Sequence, residues 1–150
     1  MSIHNDSEFK AALNGLDLAR QRQVAAAFVV SVSNLSSDPR VKAAVNAARR
    51  ADISGAELEV AYAAAKTASV ESYTHCGQEG DWMGQAGHFT AEAAMNCVAP
   101  TGKLGNLAWN AAMSARMARM CETIAVGHGT ENSEAGTQYR ILAEFLKQSA

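Results

Sequence analysis

Three polar residues at helical spacing are the first candidates for chemistry in this chain. Gln85, His88 and Glu92 lie at positions i, i+3 and i+7, so a helix would place them on one face. A histidine followed four residues later by a carboxylate can bind a metal ion, or can act as a base oriented by its neighbour. The same spacing is typical of an exposed ion pair on an amphipathic helix. Both interpretations remain open at this stage.

A metal site would need ligands from other parts of the chain. We expect His75 near the end of one helix and His128 just after another, so either could join His88 and Glu92. His75 also has a simpler role, because an imidazolium near a helix C-terminus interacts favourably with the helix dipole. Structural zinc sites usually take ligands in close pairs, and the chain has no CxxC or HxxxH pair. A metal-binding protein or metal-dependent enzyme with an interhelical site is therefore the alternative hypothesis.

An aromatic residue in the glycine-rich segment 77–87 is a candidate anchor for a partner. Trp82 stands where a predicted loop at 76–80 meets the next helix. Exposed tryptophans in such places often contribute much of the binding energy of a protein interface. Trp82 could equally be a helix-start residue that folds onto the core. Together with Gln85, His88 and Glu92, it defines the candidate binding surface.

Charge and composition exclude several function classes. The net charge of −2 provides no general attraction to phosphate backbones or acidic lipids, so we expect neither nucleic acid nor a membrane as partner. The chain lacks the GxSxG, P-loop, Rossmann and HExxH motifs, and no cofactor is expected. The first ten residues show no secretory signal, and three cysteines without a CxxC pair suit free thiols in the cytoplasm. Cys97 and Cys121 are expected in the core.

Alanine makes up 31 of the 150 residues, about a fifth of the chain. It is the best helix former, and no segment shows the period-2 alternation of a half-buried strand. The sequence therefore predicts an all-α, single-domain antiparallel bundle of six to seven helices that pack through Ala-rich faces. The predicted helices span residues 5–14, 16–35, 39–51, 55–73, 81–98, 102–126 and 133–147, with Asp38, Ser54 and Thr101 among the N-caps.

A stripe of large side chains follows the long helix predicted at 102–126. Its members recur at helical spacing and favour a core role: Trp109, Met113, Met117, Met120 and Ile124. Arg116 and Arg119 lie on the opposite side of that helix, where we expect them to face solvent. In the last helix, the expected buried residues are Tyr139, Leu142, Phe145 and Leu146.

The chain resembles a known family in three segments. Residues 38–49 read DPRVKAAVNAAR, residues 56–65 are Ala-rich and include AELE, and Ala86-Gly87-His88 runs into another Ala-rich helix before Leu104-Gly105. These segments resemble the Imm-5-like immunity proteins over roughly residues 16–120. The chain departs from the family pattern after His88, where no second histidine follows in the next turns. The resemblance implies a small helical protein that binds and neutralises a toxin without catalysis.

The favoured hypothesis is thus a noncatalytic, cytoplasmic helical protein that acts by binding another protein. Self-association is a further hypothesis, because Ala-rich helix faces that lack bulk can pair with a second copy of the chain.

Overall fold

The protein is described by a computed structural model over residues 2–75, 81–100 and 105–148, without the side chains of residues 74 and 75. Within these ranges the chain forms seven α-helices: α1 (Asp6–Asn14), α2 (Leu18–Val32), α3 (Pro39–Arg49), α4 (Gly55–His75), α5 (Trp82–Cys97), α6 (Leu107–Ala125) and α7 (Glu134–Gln148). The described residues contain no strand. The predicted all-α helical bundle is confirmed.

Polar side chains start most of these helices. Asn5 accepts a hydrogen bond from the backbone N–H of Glu8 at 2.9 Å, which caps α1. Ser54 and Glu57 form the predicted capping box at α4, since the Ser54 hydroxyl accepts from the Glu57 N–H at 3.1 Å and the Glu57 carboxylate accepts from the Ser54 N–H at 3.2 Å. These local bonds determine where each helix begins.

The bounds of the second helix differ from the prediction at both ends. The second helix begins at Leu18 and not at Leu16, because the Asp17 carboxylate caps it by accepting from the Arg20 N–H at 2.9 Å. The same helix ends at Val32 and continues as a single 3-10 turn, Ser33–Leu35.

The sixth helix begins at Leu107 and not at residue 102. Gly105 has a φ of 84°, which is left-handed backbone, and Asn106 then caps the helix by accepting from the Trp109 N–H at 3.0 Å. Thr101, the expected cap, lies outside the described residues.

The core combines bulky residues from the first helices with small residues from the later ones. Phe9 of α1 and Phe28 of α2 are fully buried, and their ring centroids lie 5.5 Å apart. The most extensive helix contact in the described part of the chain joins α5 to α6. The fully buried residues of this pair include Ala86, Ala93, Ala94, Ala108, Ala111, Ala112, Ala115 and Ala118. Small side chains allow the two helix axes to come close.

We expected Arg116 and Arg119 to face solvent, but they do not. Both are mostly covered and hold other helices against α6. Arg119 donates to the Glu134 carboxylate at 2.9 Å and to the Ser31 carbonyl at 2.9 Å. The Ser31 hydroxyl donates to the other Glu134 oxygen at 2.6 Å. This network therefore joins α2, α6 and α7.

A second polar network attaches both α1 and α7 to α6. Arg116 donates to Gln138 at 2.8 Å and to the Asp6 carboxylate at 2.8 Å, and Tyr139 donates to the same carboxylate at 2.8 Å. These hydrogen bonds hold the pKa of Asp6 below its usual value, with the bond from Arg116 contributing most. Gln138 is fully buried and donates to the Ala112 carbonyl at 2.9 Å.

The set of buried residues in α7 differs in part from the prediction. Leu142 is buried as expected, but Tyr139, Phe145 and Leu146 are only partly buried. The other two buried positions of α7 are polar, Glu134 and Gln138, because α6 presents arginines to them.

Replacing Glu134 with alanine should strongly destabilise the protein. The Glu134 residue is only 3% exposed, and its loss leaves Arg119 and the Ser31 hydroxyl without their shared acceptor. We expect a loss of about 3 kcal/mol in the free energy of unfolding, measured by urea denaturation. As a matched control on the same helix, Glu144→Ala removes an exposed carboxylate and should cost less than about 0.5 kcal/mol. Equal losses in the two variants would contradict the prediction.

A larger side chain in the alanine interface should also destabilise the fold. Ala94→Leu adds bulk at a fully buried position of α5, and we expect a loss of about 2 kcal/mol or more by the same measurement. Ala63→Leu on the exposed side of α4 is the control and should change stability by less than about 0.5 kcal/mol. An unchanged free energy of unfolding for Ala94→Leu would contradict the prediction, because the interface would then have space for a larger side chain.

Candidate functional site

An open cleft of about 760 Å³ lies where the starts of α3 and α5 meet the second half of α4. It includes the short connection before α3, whose Asp38 caps that helix by accepting from the Arg40 N–H at 2.9 Å. The described lining residues with polar or large side chains are Leu35, Ser36, Ser37, Asp38, Pro39, Arg40, Glu71, Ser72, Asp81 and Met83. We call this feature the α3–α4–α5 cleft.

The charged groups among the described residues of the cleft are three carboxylates and one guanidinium. Arg40 bridges two of the carboxylates, with 2.7 Å to Asp38 and 2.8 Å to Glu71. The hydrogen bond from Arg40 holds the pKa of Asp38 below its usual value. Asp81 adds a third carboxylate. The described lining therefore carries an excess of two negative charges.

Large apolar side chains stand exposed at this end of the bundle. Met83 lines the cleft and is 48% exposed, Trp82 next to it is 36% exposed, and Tyr73 is 66% exposed. Trp82 is the first residue of α5 and does not belong to the buried core. Of the two interpretations of Trp82, the exposed position favours the anchor.

The side chains of His88 and Glu92 form hydrogen bonds to different helices. The Nδ1 atom of His88 lies 2.9 Å from the Ser69 carbonyl of α4 and 3.3 Å from the Ser72 hydroxyl, and the ring packs against Tyr73 at 5.4 Å between centroids. Glu92 accepts from the Ser114 hydroxyl of α6 at 2.9 Å. The two side chains form no ion pair with each other. They attach α5 to its two neighbours, and Gln85 one turn earlier is half-buried.

The described residues contain no group of three or more histidine, cysteine, aspartate or glutamate side chains that could hold a metal ion. His88, Glu92 and His128 are all within the part that the structure describes, and His128 lies exposed after α6. The side chain of His75 lies outside that part, so its role as a ligand stays a prediction. Cys97 and Cys121 are buried as expected, and burial raises the pKa of the Cys97 thiol to about 12.

Two glycines shape the start of α5. The Asp81 carboxylate caps the helix by accepting from the Gly84 N–H at 2.9 Å, and a Cβ at Gly84 would overlap that carboxylate. A Cβ at Gly87 would stand 3.3 Å from the Leu35 carbonyl, so glycine there permits the close approach of α5.

The sequence did not single out most of the cleft. Asp38 was identified only as a cap, while Arg40, Glu71, Met83 and Tyr73 were not identified. One available signal was the distribution of apolar residues in α4, which lie all around the helix. Three large apolar residues of this helix are exposed: Val60, Val70 and Tyr73.

The stripe on α6 is also more exposed than expected. Met117 is exposed, and Trp109, Met113, Met120 and Ile124 are only partly buried. The alanines of α6 occupy the core in their place.

A comparison of the chain with protein-family models, curated proteins and solved structures finds no match in any of the three. None of the helices in the described ranges combines the length and apolar character needed to cross a membrane.

The cap at Asp81 and the glycine at position 84 should be energetically coupled. Asp81→Ala should lose about 1 kcal/mol of unfolding free energy because the cap is removed. Gly84→Ala should be nearly neutral, since the higher helix propensity of alanine offsets the displaced cap. In the Asp81→Ala background, Gly84→Ala should raise the free energy of unfolding by about 1 kcal/mol, because no carboxylate remains to be displaced. Urea denaturation of the four proteins measures the coupling, and additive effects would contradict the prediction.

Proposed function

We propose that the protein is a noncatalytic binding protein whose partner is another protein, bound at the α3–α4–α5 cleft. The observation that carries the proposal is the exposure of large apolar side chains at the end of α4 and the start of α5, where Met83 lines the cleft and Tyr73 and Trp82 are exposed on the same helix ends. Large aromatic and methionine side chains are enriched at protein interfaces, where their burial supplies most of the binding energy.

The charges of the cleft support a partner with a basic segment. Arg40 already pairs with Asp38 and Glu71, so an incoming lysine or arginine would meet the remaining negative charge of the lining. Charges at the rim of an interface chiefly affect the association rate and its dependence on salt. The apolar side chains would then supply affinity, and the carboxylates would favour a basic partner.

The polar residues first considered for chemistry have a supporting role in this proposal. His88 and Glu92 form hydrogen bonds to α4 and α6, which orient the start of α5 and with it Trp82. Gln85 lies on the same half-buried surface. His88 uses its Nδ1 atom and Glu92 one carboxylate oxygen for these bonds, which supports a positioning role for both residues.

The narrower proposal is that the partner is a toxin that this chain neutralises in the cytoplasm. Its support is the resemblance of residues 16–120 to the Imm-5-like immunity proteins. An acidic, partly aromatic surface is suited to covering a basic site on another protein.

A photocrosslinking amino acid tests the location of the binding surface. We expect p-benzoylphenylalanine at Met83 to crosslink one protein in cells that produce the chain. The same group at Val60 should not crosslink it, because Val60 is an exposed apolar residue of α4 that lies about 20 Å along the helix from Tyr73. Recovery of the same protein from both positions would contradict the proposed surface.

The identified partner then allows affinity measurements. Trp82→Ala should raise the Kd about 30-fold, whereas Val60→Ala should leave it unchanged. Raising the salt concentration should also weaken binding. An unchanged Kd for Trp82→Ala would contradict the proposal. Stoichiometric metal in untagged protein, lost on His88→Ala, would instead support the metal-binding alternative.

A further inference from the structure

A second pocket lies away from the cleft, where the first half of α2 meets the start of α4 and the end of α5. Its volume is about 390 Å³, and its described lining consists of Arg22, Gly55, Leu58, Glu59, Tyr62, Val98 and Pro100. Most of this lining is apolar, and Arg22 carries its only positive charge. We call this cavity the Arg22 pocket.

Arg22 has no carboxylate partner among the described residues, unlike the other covered arginines. Its Nη2 donates to the Ala99 carbonyl at 3.3 Å, and its Nε is inaccessible to solvent and has no hydrogen-bond partner. Arg116 and Arg119, which are comparably covered, each form an ion pair with a carboxylate. A guanidinium has five N–H donors, so most of the hydrogen-bonding capacity of Arg22 is unused by the protein.

The groups near Arg22 do not neutralise its charge. Cys97 is close enough to interact with it electrostatically, but burial raises the pKa of that thiol to about 12, and the thiol is neutral at physiological pH. Glu59 lines the pocket on the α4 side but forms no ion pair with Arg22. Burial also lowers the pKa of Arg22, which reflects the unfavourable position of an unpaired cation. An arginine remains charged in this setting, so an anion from outside would be stabilised beside it.

We propose that the Arg22 pocket binds a small monocarboxylic acid with an apolar body. The carboxylate would accept hydrogen bonds from the guanidinium, whose planar geometry matches it, and the apolar body would pack against Leu58, Tyr62 and Val98. A described lining with one cation and the carboxylate of Glu59 disfavours a doubly charged phosphate. The volume suits a ligand with one ring or a branched chain. This inference is independent of the protein-binding function proposed for the cleft.

Calorimetry with two nearly isosteric ligands tests the proposal without altering the protein. Phenylacetate should bind the wild-type chain with a Kd of about 1 mM or lower, and phenylacetamide should bind at least about tenfold more weakly because it lacks the charge. Phenyl phosphate should also bind more weakly than phenylacetate. Absence of phenylacetate binding, or equal affinity for the amide, would overturn the proposal.

Matched variants assign the effect to Arg22. Arg22→Gln should weaken phenylacetate binding at least about tenfold, and Arg22→Lys should weaken it less, because the lysine keeps the charge but loses the planar donor pair. Glu59→Gln should tighten binding, because it removes a negative charge from the lining. Arg49→Gln changes an exposed arginine and should have no effect. Unchanged binding in Arg22→Gln would overturn the proposal, and circular dichroism checks that each variant is folded.

Discussion

The close contact between α5 and α6 is built mainly from alanine, and the rest of the bundle is arranged around that small-residue interface. The two helices present fully buried alanines to the core, so they contribute little volume themselves. Phe9, Leu13 and Phe28 supply the missing bulk from α1 and α2. A core built in this way is sensitive to volume at its centre, since protein interiors are packed as densely as organic crystals.

The shortage of large apolar side chains on α6 also explains why polar groups hold the outer helices. With alanine on its core side, α6 attaches α7 through Arg116 and Arg119, whose long stems cover apolar surface while their guanidinium groups bind Gln138 and Glu134. Hydrogen-bonded contacts have stricter geometry than apolar ones. The position of α7 is therefore specified by a few directional bonds more than by buried area.

Helix existence and many boundaries could be predicted, because caps such as Asn5, Asp38 and the Ser54 box are local signals. The errors arose where two local signals competed, as at Asp17, or where tertiary partners decided. Nothing near Arg119 in the sequence indicates that Glu134 will lie beside it. The candidate surface was found only in part for the same reason. Trp82, next to Met83 of the cleft, is recognisable by residue type, whereas Arg40 and Glu71 come together only when α3 and α4 pack.

The network around Arg116 has a consequence for the order of folding. Asp6 accepts hydrogen bonds from Arg116 and from Tyr139, which are 110 and 133 positions later in the chain. Closing loops of that length is entropically costly, so these bonds form late, after the local helices and their nearer contacts. During synthesis on the ribosome, α1 must wait for α6 and α7 to emerge before its carboxylate finds either partner. The attachment of α1 to α6 and α7 is therefore completed only after both of those later helices have been made.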